Sequence, residues 1–144
     1  RSGARAMSRQ ISTVTAWIMA TLLAANGLAM LLAPEVWYWT VPGVSDRGPF
    51  NHHVVRDIGM AQLLLGGCFA AGVGVARHRL VLWAVPTLWL AGHALFHLWE
   101  VGADHVHTGA LLEDFGGVML PALISVALCI SARSAAGRSV PGQP

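Results

Sequence analysis

The chain has 144 residues, of which 55% are hydrophobic and 11% are charged, and its formal net charge is +2. Soluble domains carry about 25% charged residues, so this composition excludes an ordinary soluble protein and predicts a membrane protein. The positive charge follows the membrane topology described below rather than one binding face, which argues against nucleic acid as a partner. Cys68 and Cys129 lie in apolar segments without CxxC spacing, so a disulfide framework, a zinc finger and a thioredoxin-type site are not favoured either.

Four apolar segments follow one another along the chain, over residues 12–33, 58–76, 80–98 and 115–130. The first three are close to the roughly 20 residues that a helix needs to cross a bilayer, and Leu111 and Leu112 can extend the shorter fourth. The first segment exceeds the apolar part of a signal peptide, about 7–15 residues, so we expect it to remain as a spanning helix. The predicted fold is all-α, a four-helix transmembrane up-down bundle over residues 11–131. Residues 1–10 are expected to form an N-terminal cytoplasmic tail and residues 132–144 a disordered cytoplasmic tail. Residues 1–6, ahead of Met7, carry no weight in this prediction.

The arginines predict the orientation of the bundle. Short cytoplasmic segments are enriched in Arg and Lys. Only Arg47 and Arg56 fall on the outer side if both termini are cytoplasmic. The other seven then lie inside: Arg1, Arg5, Arg9, Arg77, Arg79, Arg133 and Arg138. We therefore predict a multi-pass protein with its N- and C-termini inside.

Residues 34–53, between the first two helices, contain the turn segments Val-Pro-Gly-Val and Arg-Gly-Pro-Phe, which cannot continue a helix. We expect an ordered cap at the outer end of the bundle. The aromatic residues near both interfaces are expected to be membrane anchors: Trp37, Tyr38, Trp39 and Trp99 outside, and Trp17 and Trp83 inside. On the second helix, Gly66, Ala70 and Gly74 recur every four positions and predict close packing of a neighbouring helix.

Polar residues interrupt the outer end of the third helix. His93, His97 and Glu100 stand at i, i+4 and i+7 and therefore line one helix face, and Asp104 joins them if the helix continues past Gly102. Polar groups at membrane depth are costly and usually point into the protein. The HxxxH spacing lacks the glutamate of the zinc-protease HExxH helix, so no hydrolytic activity is predicted. Whether the chain is an enzyme is left open, and a non-catalytic role is favoured.

Further polar residues lie at the same outer level of the other helices. On the second helix His53 and Asp57 are four residues apart and share a face, with Arg56 beside them, and Asp114 begins the fourth helix. Imidazole and carboxylate groups are ligands for zinc, copper and iron. We therefore predict a transition-metal site at the outward end of the bundle, supported by Arg56 and Asp114. Its predicted ligands are His53, Asp57, His93, His97 and Glu100.

The chain also resembles a group of small uncharacterised four-helix bacterial inner-membrane proteins. The resemblance rests on Trp37-Tyr38, on residues 41–44 (Val-Pro-Gly-Val), 48–51 (Gly-Pro-Phe-Asn) and 53–59 (His-Val-Val-Arg-Asp-Ile-Gly), and on residues 93–100, the His-Ala-Leu-Phe-His-Leu-Trp-Glu segment. That group often has Asp where this chain has Glu100. In helix count the layout is also broadly similar to DoxX-like proteins. The resemblance implies a protein of the bacterial inner membrane and adds Asn51 to the supporting residues, but it implies no activity.

Three alternatives to a metal site remain open. The first is a structural or accessory subunit, whose polar cluster is a hydrogen-bond network in which Asp57 or Glu100 pairs with Arg56. The second is haem held between His53 and His93, which is less favoured because the two residues differ in depth. The third is proton or small-solute movement, although the inner half of the bundle has no matching ionisable residues. Expected partners are the lipid bilayer and either further copies of the chain or a larger membrane complex.

Overall fold

The computed structural model describes residues 2–137, and within them it is a bundle of four spanning helices without strands. The helices are α1 (Ser2–Leu32), α2 (Pro34–Thr40), α3 (His52–Gly74), α4 (Arg79–Gly102), α5 (Ala110–Asp114) and α6 (Leu120–Gly137). A π-helical turn, Phe115–Met119, joins α5 to α6. The four segments Ala6–Leu32, His52–Gly74, Ala76–Gly102 and Ala110–Gly137 are long and apolar enough to cross a membrane. The predicted all-α bundle is confirmed, and the chain is a multi-pass membrane protein.

The helices extend further towards both termini than the sequence analysis predicts. Residues 2–10, predicted as a tail, are helical and continuous with the rest of α1. At the other end, α6 continues to Gly137, so residues 132–137 of the predicted disordered tail are also helical. Both extensions contain Ala and Arg, which favour helix even outside the apolar run. Residues 138–144 of the predicted tail, with Arg138, lie outside the described residues, as does Arg1.

Neighbouring spans run antiparallel, and glycines set the contact between α1 and α3. A Cβ atom on Gly59 would lie 2.9 Å from the carbonyl oxygen of Gly27, and one on Gly66 would lie 2.8 Å from that of Ala20. Such backbone contact requires residues without side chains. Gly66 therefore has the packing role predicted for it, whereas Gly74 faces open space.

The half of the bundle nearest the two termini, here called the terminal half, is solid. Trp83 and Phe69 are buried at its centre, and the Trp83 indole N–H donates a hydrogen bond of 3.0 Å to the Phe69 carbonyl. The hydroxyl oxygen of Thr87, next to the buried Pro86, lies 2.7 Å from the Trp83 carbonyl of its own helix and 3.0 Å from the Ser125 carbonyl. The two carbonyls share its one hydrogen, and the second contact links α4 to α6. Trp83 was expected at the membrane interface. It is instead a core residue, because its side chain points inward between α3 and α4.

The other half of the bundle ends in an ordered cap formed by α2 and residues 41–51. Tyr38 is buried, and its hydroxyl donates to the carbonyl of Gly48 and lies 3.3 Å from that of Ser45. Trp37 donates from its indole nitrogen to Asn26 Oδ1 of α1 at 2.8 Å. These two aromatic residues hold the cap together rather than anchoring it in lipid, whereas Trp17, Trp39 and Trp99 are exposed.

Candidate functional site

Arg47 connects three segments at the cap end of the bundle. Its Nη1 atom lies 3.1 Å from Glu100 Oε2 on α4, and its Nη2 atom lies 2.7 Å from Asp114 Oδ2 on α5. The side chains are largely shielded, with 18% of Arg47, 20% of Glu100 and 9% of Asp114 exposed. Charge-assisted hydrogen bonds of this kind are among the stronger polar contacts in proteins. Arg47 therefore fastens the cap to the third and fourth spans.

His97 belongs to the same network. Its Nδ1 atom lies 2.7 Å from Asp114 Oδ2 and 2.9 Å from Arg47 Nη1. A guanidinium can only donate and an ionised carboxylate can only accept, so one imidazole nitrogen cannot serve both. We assign the proton to Nδ1, which then donates to Asp114, because this is the shorter of the two contacts and it joins the ring to a carboxylate. This tautomer leaves His97 Nε2 as a hydrogen-bond acceptor.

His93 lies one turn deeper in the bundle and has only ring contacts. Its ring stacks on Trp89 at a centroid distance of 4.9 Å and an interplanar angle of 27°. It also meets the ring of His97 edge-on at 4.5 Å. His93 is half-buried, and no hydrogen bond joins it to any other described residue. Its nitrogens are therefore available to an occupant of the space beside it.

That space is a cavity of about 580 Å³ beneath the cap. Its walls are mainly apolar and come from α1, α3, α4 and the fourth span: Met19, Leu22, Leu23, Met30, Val55, Ile58, Leu90 and Val118. A smaller number of polar residues also line it: Asn26, Arg47, Asn51, Gln62, His93, His97, Glu113 and Asp114. Volume and lining both match those of small-molecule sites, which are concave and apolar with a few convergent polar groups.

The cavity reaches the outside of the bundle between α1 and the fourth span. Leu22 lines the cavity although 60% of it is exposed, and Gly116 and Gly117, on the opposite side, are also exposed. A Cβ atom at either glycine would meet nothing within 4 Å. These glycines belong to the π-helical turn, which ends two residues before Pro121. Such turns are rare and frequently mark functional sites.

The structure separates the predicted ligands into two groups. His53 and Asp57 form an exposed pair along α3, with 3.3 Å between Nε2 and Oδ2, and neither lines the cavity. Arg56 donates to the Leu31 carbonyl of α1 at 3.3 Å and not to Glu100 or Asp57. His93, His97, Glu100 and the supporting residue Asp114 do lie together.

Two further residues considered in the sequence analysis have well-defined places in the structure. Asn51 caps the N-terminus of α3, because its Oδ1 atom accepts from the backbone N–H groups of His53 and Val54 at 2.9 and 3.2 Å. Asp104 does not continue the polar face of α4, because the condition for it, a helix that runs past Gly102, is not met. The helix ends at Gly102, and Asp104 has a φ of 56° in the following turn.

Sequence reasoning missed Arg47, the residue at the centre of the network. One signal was available, because Arg47 is one of two arginines that fall on the arginine-poor side of the membrane. An arginine there needs a local partner. Nothing in the spacing of Arg47 from Glu100 or Asp114 identifies those partners, since they lie 53 and 67 residues further along the chain.

A second polar cluster, here called the rim cluster, consists of Asp46, His107 and Glu113. Their potential ligand atoms all lie within 4.8 Å of one another, and all three side chains are exposed. Gly43, at a φ of +75°, lies directly against the Glu113 carboxylate and leaves room for it. Within residues 2–137 this is the one group of three or more His, Cys, Asp or Glu side chains with such spacing. It contains none of the predicted ligands.

Comparison of the chain with protein-family models, with curated proteins and with solved structures gives no match in any of the three. The resemblance to small four-helix bacterial inner-membrane proteins therefore stays a prediction.

Proposed function

We propose that this protein binds a small amphipathic molecule in the cavity at the cap end of its membrane bundle. The observation that carries the proposal is the cavity itself, about 580 Å³ of largely apolar space bordered by two imidazoles. Solid packing is the rule in protein interiors, and voids larger than a water molecule are few. The terminal half of the same bundle is packed in this ordinary way, so the space at the cap end is a local feature.

The Arg47 network supports binding in two ways. It holds the cap over the cavity, and through Asp114 it orients the His97 ring with Nε2 free to accept a hydrogen bond. A polar group that is fixed before binding loses little entropy when the ligand arrives. The network thus combines the structural role considered among the sequence-based alternatives with a role in recognition.

The same network weakens the case for a metal ion between His97 and Glu100. The Arg47 guanidinium lies between the carboxylates of Glu100 and Asp114 and already supplies the positive charge that a cation would bring. A transition-metal site made of His53, Asp57, His93, His97 and Glu100 remains a prediction, as does haem binding.

A metal-binding role has better support at the rim cluster, and we propose it as the second candidate function. One imidazole and two carboxylates suit zinc or iron. The three residues come from the cap, from the loop after α4 and from α5, so an ion would tie these segments together beside the cavity. With the termini in the cytoplasm, as the arginines predict, both sites would face outward from a bacterial inner membrane. The expected partners are still further copies of the chain or a larger membrane complex.

Binding in the cavity is tested with ω-bromoundecanol, a fatty alcohol whose bromine quenches tryptophan fluorescence on contact. The protein is reconstituted in phospholipid nanodiscs and titrated, because Trp37 lines the cavity and should report occupancy. Alcohol dissolved in the lipid also quenches tryptophan fluorescence, and this quenching rises with alcohol concentration without saturating. Binding in the cavity adds a component that saturates. We expect the wild type to show this component.

The matched variants are Gly117→Leu and Gly67→Leu. Both glycines are exposed with open space around them, but only Gly117 lines the cavity. We expect Gly117→Leu to remove most of the saturable quenching and Gly67→Leu to leave it unchanged. Equal saturable quenching in the two variants would place the alcohol elsewhere and overturn the proposal.

A further inference from the structure

The first and fourth spans meet at one end of the bundle and part towards the other. Near the termini, the hydroxyl oxygens of Ser12 on α1 and Ser131 on α6 lie 2.9 Å apart and form a hydrogen bond. Closer to the cap, Leu22 of α1 and Gly117 of the fourth span both line the cavity. The two spans therefore form a wedge, and its wide end is the opening through which the cavity reaches the outside of the bundle.

This opening lies at a depth where hydrocarbon surrounds the protein. Leu22 precedes the cap-side end of α1, Leu32, by ten residues, and Gly117 follows the start of its span, Ala110, by seven. At about 1.5 Å of rise per residue, these separations correspond to roughly 15 and 10 Å. One leaflet contributes half of a hydrocarbon core that is about 30 Å thick. A lipid chain, and not water, therefore faces the opening from outside.

A groove on the surface of α1 continues from this opening towards the termini. Its residues recur every three or four positions and so share one face of the helix: Val14, Trp17, Ile18, Thr21 and Leu22. Leu22 belongs to both the groove and the cavity. From Leu22 to Val14 the groove follows about 12 Å of helix. The cavity and the groove thus form one largely apolar path, which starts under the cap and ends within the bilayer.

Polarity falls along this path from the cavity to the opening. The cavity wall includes the imidazoles of His93 and His97, and a neutral imidazole has one donor and one acceptor nitrogen. The rim of the opening, formed by Leu22, Gly116 and Gly117, has no polar side chain. An amphiphile therefore places its polar end under the cap and its chain in the opening. An empty opening would lack the dispersion contacts that a chain makes with its walls.

From this we infer that the ligand of the cavity is a long-chain lipid taken from the cap-side leaflet. Its polar end lies under the cap, and its chain passes between α1 and the fourth span into the groove on α1. The inference rests on the proposed binding function and names the class and the source of the ligand. It requires a chain long enough to leave the cavity, whereas a molecule that arrives from water would be enclosed by the cavity.

A competition experiment tests whether the chain leaves the cavity. Docosanol has twice the chain length of ω-bromoundecanol and carries no quencher, so it can be titrated as a competitor in the nanodisc assay. We expect docosanol to displace ω-bromoundecanol from the wild type with an affinity within about threefold of that of undecanol, because its added carbons exchange lipid contacts for equally apolar protein contacts. An enclosed site would instead exclude the longer chain.

The position of the chain is tested with ω-bromodocosanol, whose bromine should lie near Trp17 in the groove. The matched variants are Trp17→Phe and Trp39→Phe, because these residues are 51% and 66% exposed and neither lines the cavity. We expect Trp17→Phe to remove most of the saturable quenching by ω-bromodocosanol. It should leave the quenching by ω-bromoundecanol unchanged, since that bromine stays in the cavity with Trp37. Trp39→Phe should leave both unchanged.

The outcomes distinguish this inference from the function on which it rests. Saturable quenching by ω-bromoundecanol that docosanol does not displace would overturn the inference and leave the binding function intact. Saturable quenching by ω-bromodocosanol that is unchanged in Trp17→Phe, or that is absent while ω-bromoundecanol binds, would also overturn it, since the chain would then not lie in the groove. Absence of saturable quenching by both brominated alcohols would overturn the proposed function itself.

Discussion

The two halves of the bundle use the same helices for different purposes. In the terminal half, α3, α4 and α6 meet around Trp83 and Phe69, and hydrogen bonds cross between the helices. Towards the cap, α4 presents Leu90, His93 and His97 to a cavity instead. A small membrane protein can keep one half of a bundle solid for stability and leave the other open for a ligand.

The largest expected effect on stability comes from removing a large buried side chain from the terminal half of the bundle. Trp83→Ala removes the largest fully buried side chain and leaves the Phe69 carbonyl without its indole donor. Replacing a buried tryptophan by alanine typically costs about 3–5 kcal/mol in the free energy of unfolding. Unfolding in mixed detergent micelles should show this loss for Trp83→Ala. The matched variant Trp99→Ala removes a largely exposed ring and should change little. Equal losses would contradict the division into a solid and an open half.

A smaller loss is expected from the cap end, where polar contacts replace core packing. Arg47→Met leaves the Glu100 and Asp114 carboxylates close together without their counter-charge. We expect a loss of about 2–3 kcal/mol, below the usual cost of breaking a fully buried pair, because 18% of Arg47 and 20% of Glu100 remain exposed. The exposed Arg56 serves as the control, and Arg56→Met should cost less than about 1 kcal/mol.

A rescue experiment tests whether the stability lost in Arg47→Met comes from unpaired charge. Adding Glu100→Gln and Asp114→Asn to Arg47→Met removes the uncompensated charges and should restore much of the stability. If the triple variant is no more stable than Arg47→Met, the loss comes from packing of the cap and not from charge.

The smallest expected effect concerns metal binding at the rim cluster. Zinc at ten times its dissociation constant should stabilise the protein by about 1.4 kcal/mol. His107→Ala should abolish this gain, while the control His105→Ala, at an exposed position outside the cluster, should keep it. The gain should shrink on acidification because a coordinating imidazole must be unprotonated. Loss of the effect in His97→Ala together with its retention in His107→Ala would instead favour the metal site predicted from the sequence.

Part of the candidate site could be recognised from the sequence because it is local. His93, His97 and Glu100 share a face through helical spacing alone, and Asp114 meets them because antiparallel spans bring the same outer level together. The assignment of His53 and Asp57 to that cluster did not follow from spacing, since it required the rotation of α3 relative to α4. Arg47 was missed for the same reason, because its surroundings come from distant segments.

The sequence by itself determined that this chain forms four spanning helices with a cap between the first two, because hydropathy and turn residues act over one segment at a time. Tertiary structure alone decided that Trp83 lies in the core, that Arg47 pairs with Glu100 and Asp114, and that the space under the cap stays open. Each of these depends on how whole helices are rotated and how closely they approach one another. Contacts such as that between Gly27 and Gly59, which are 32 residues apart in the chain, set this approach. Spacing along one segment contains no information about such contacts between segments.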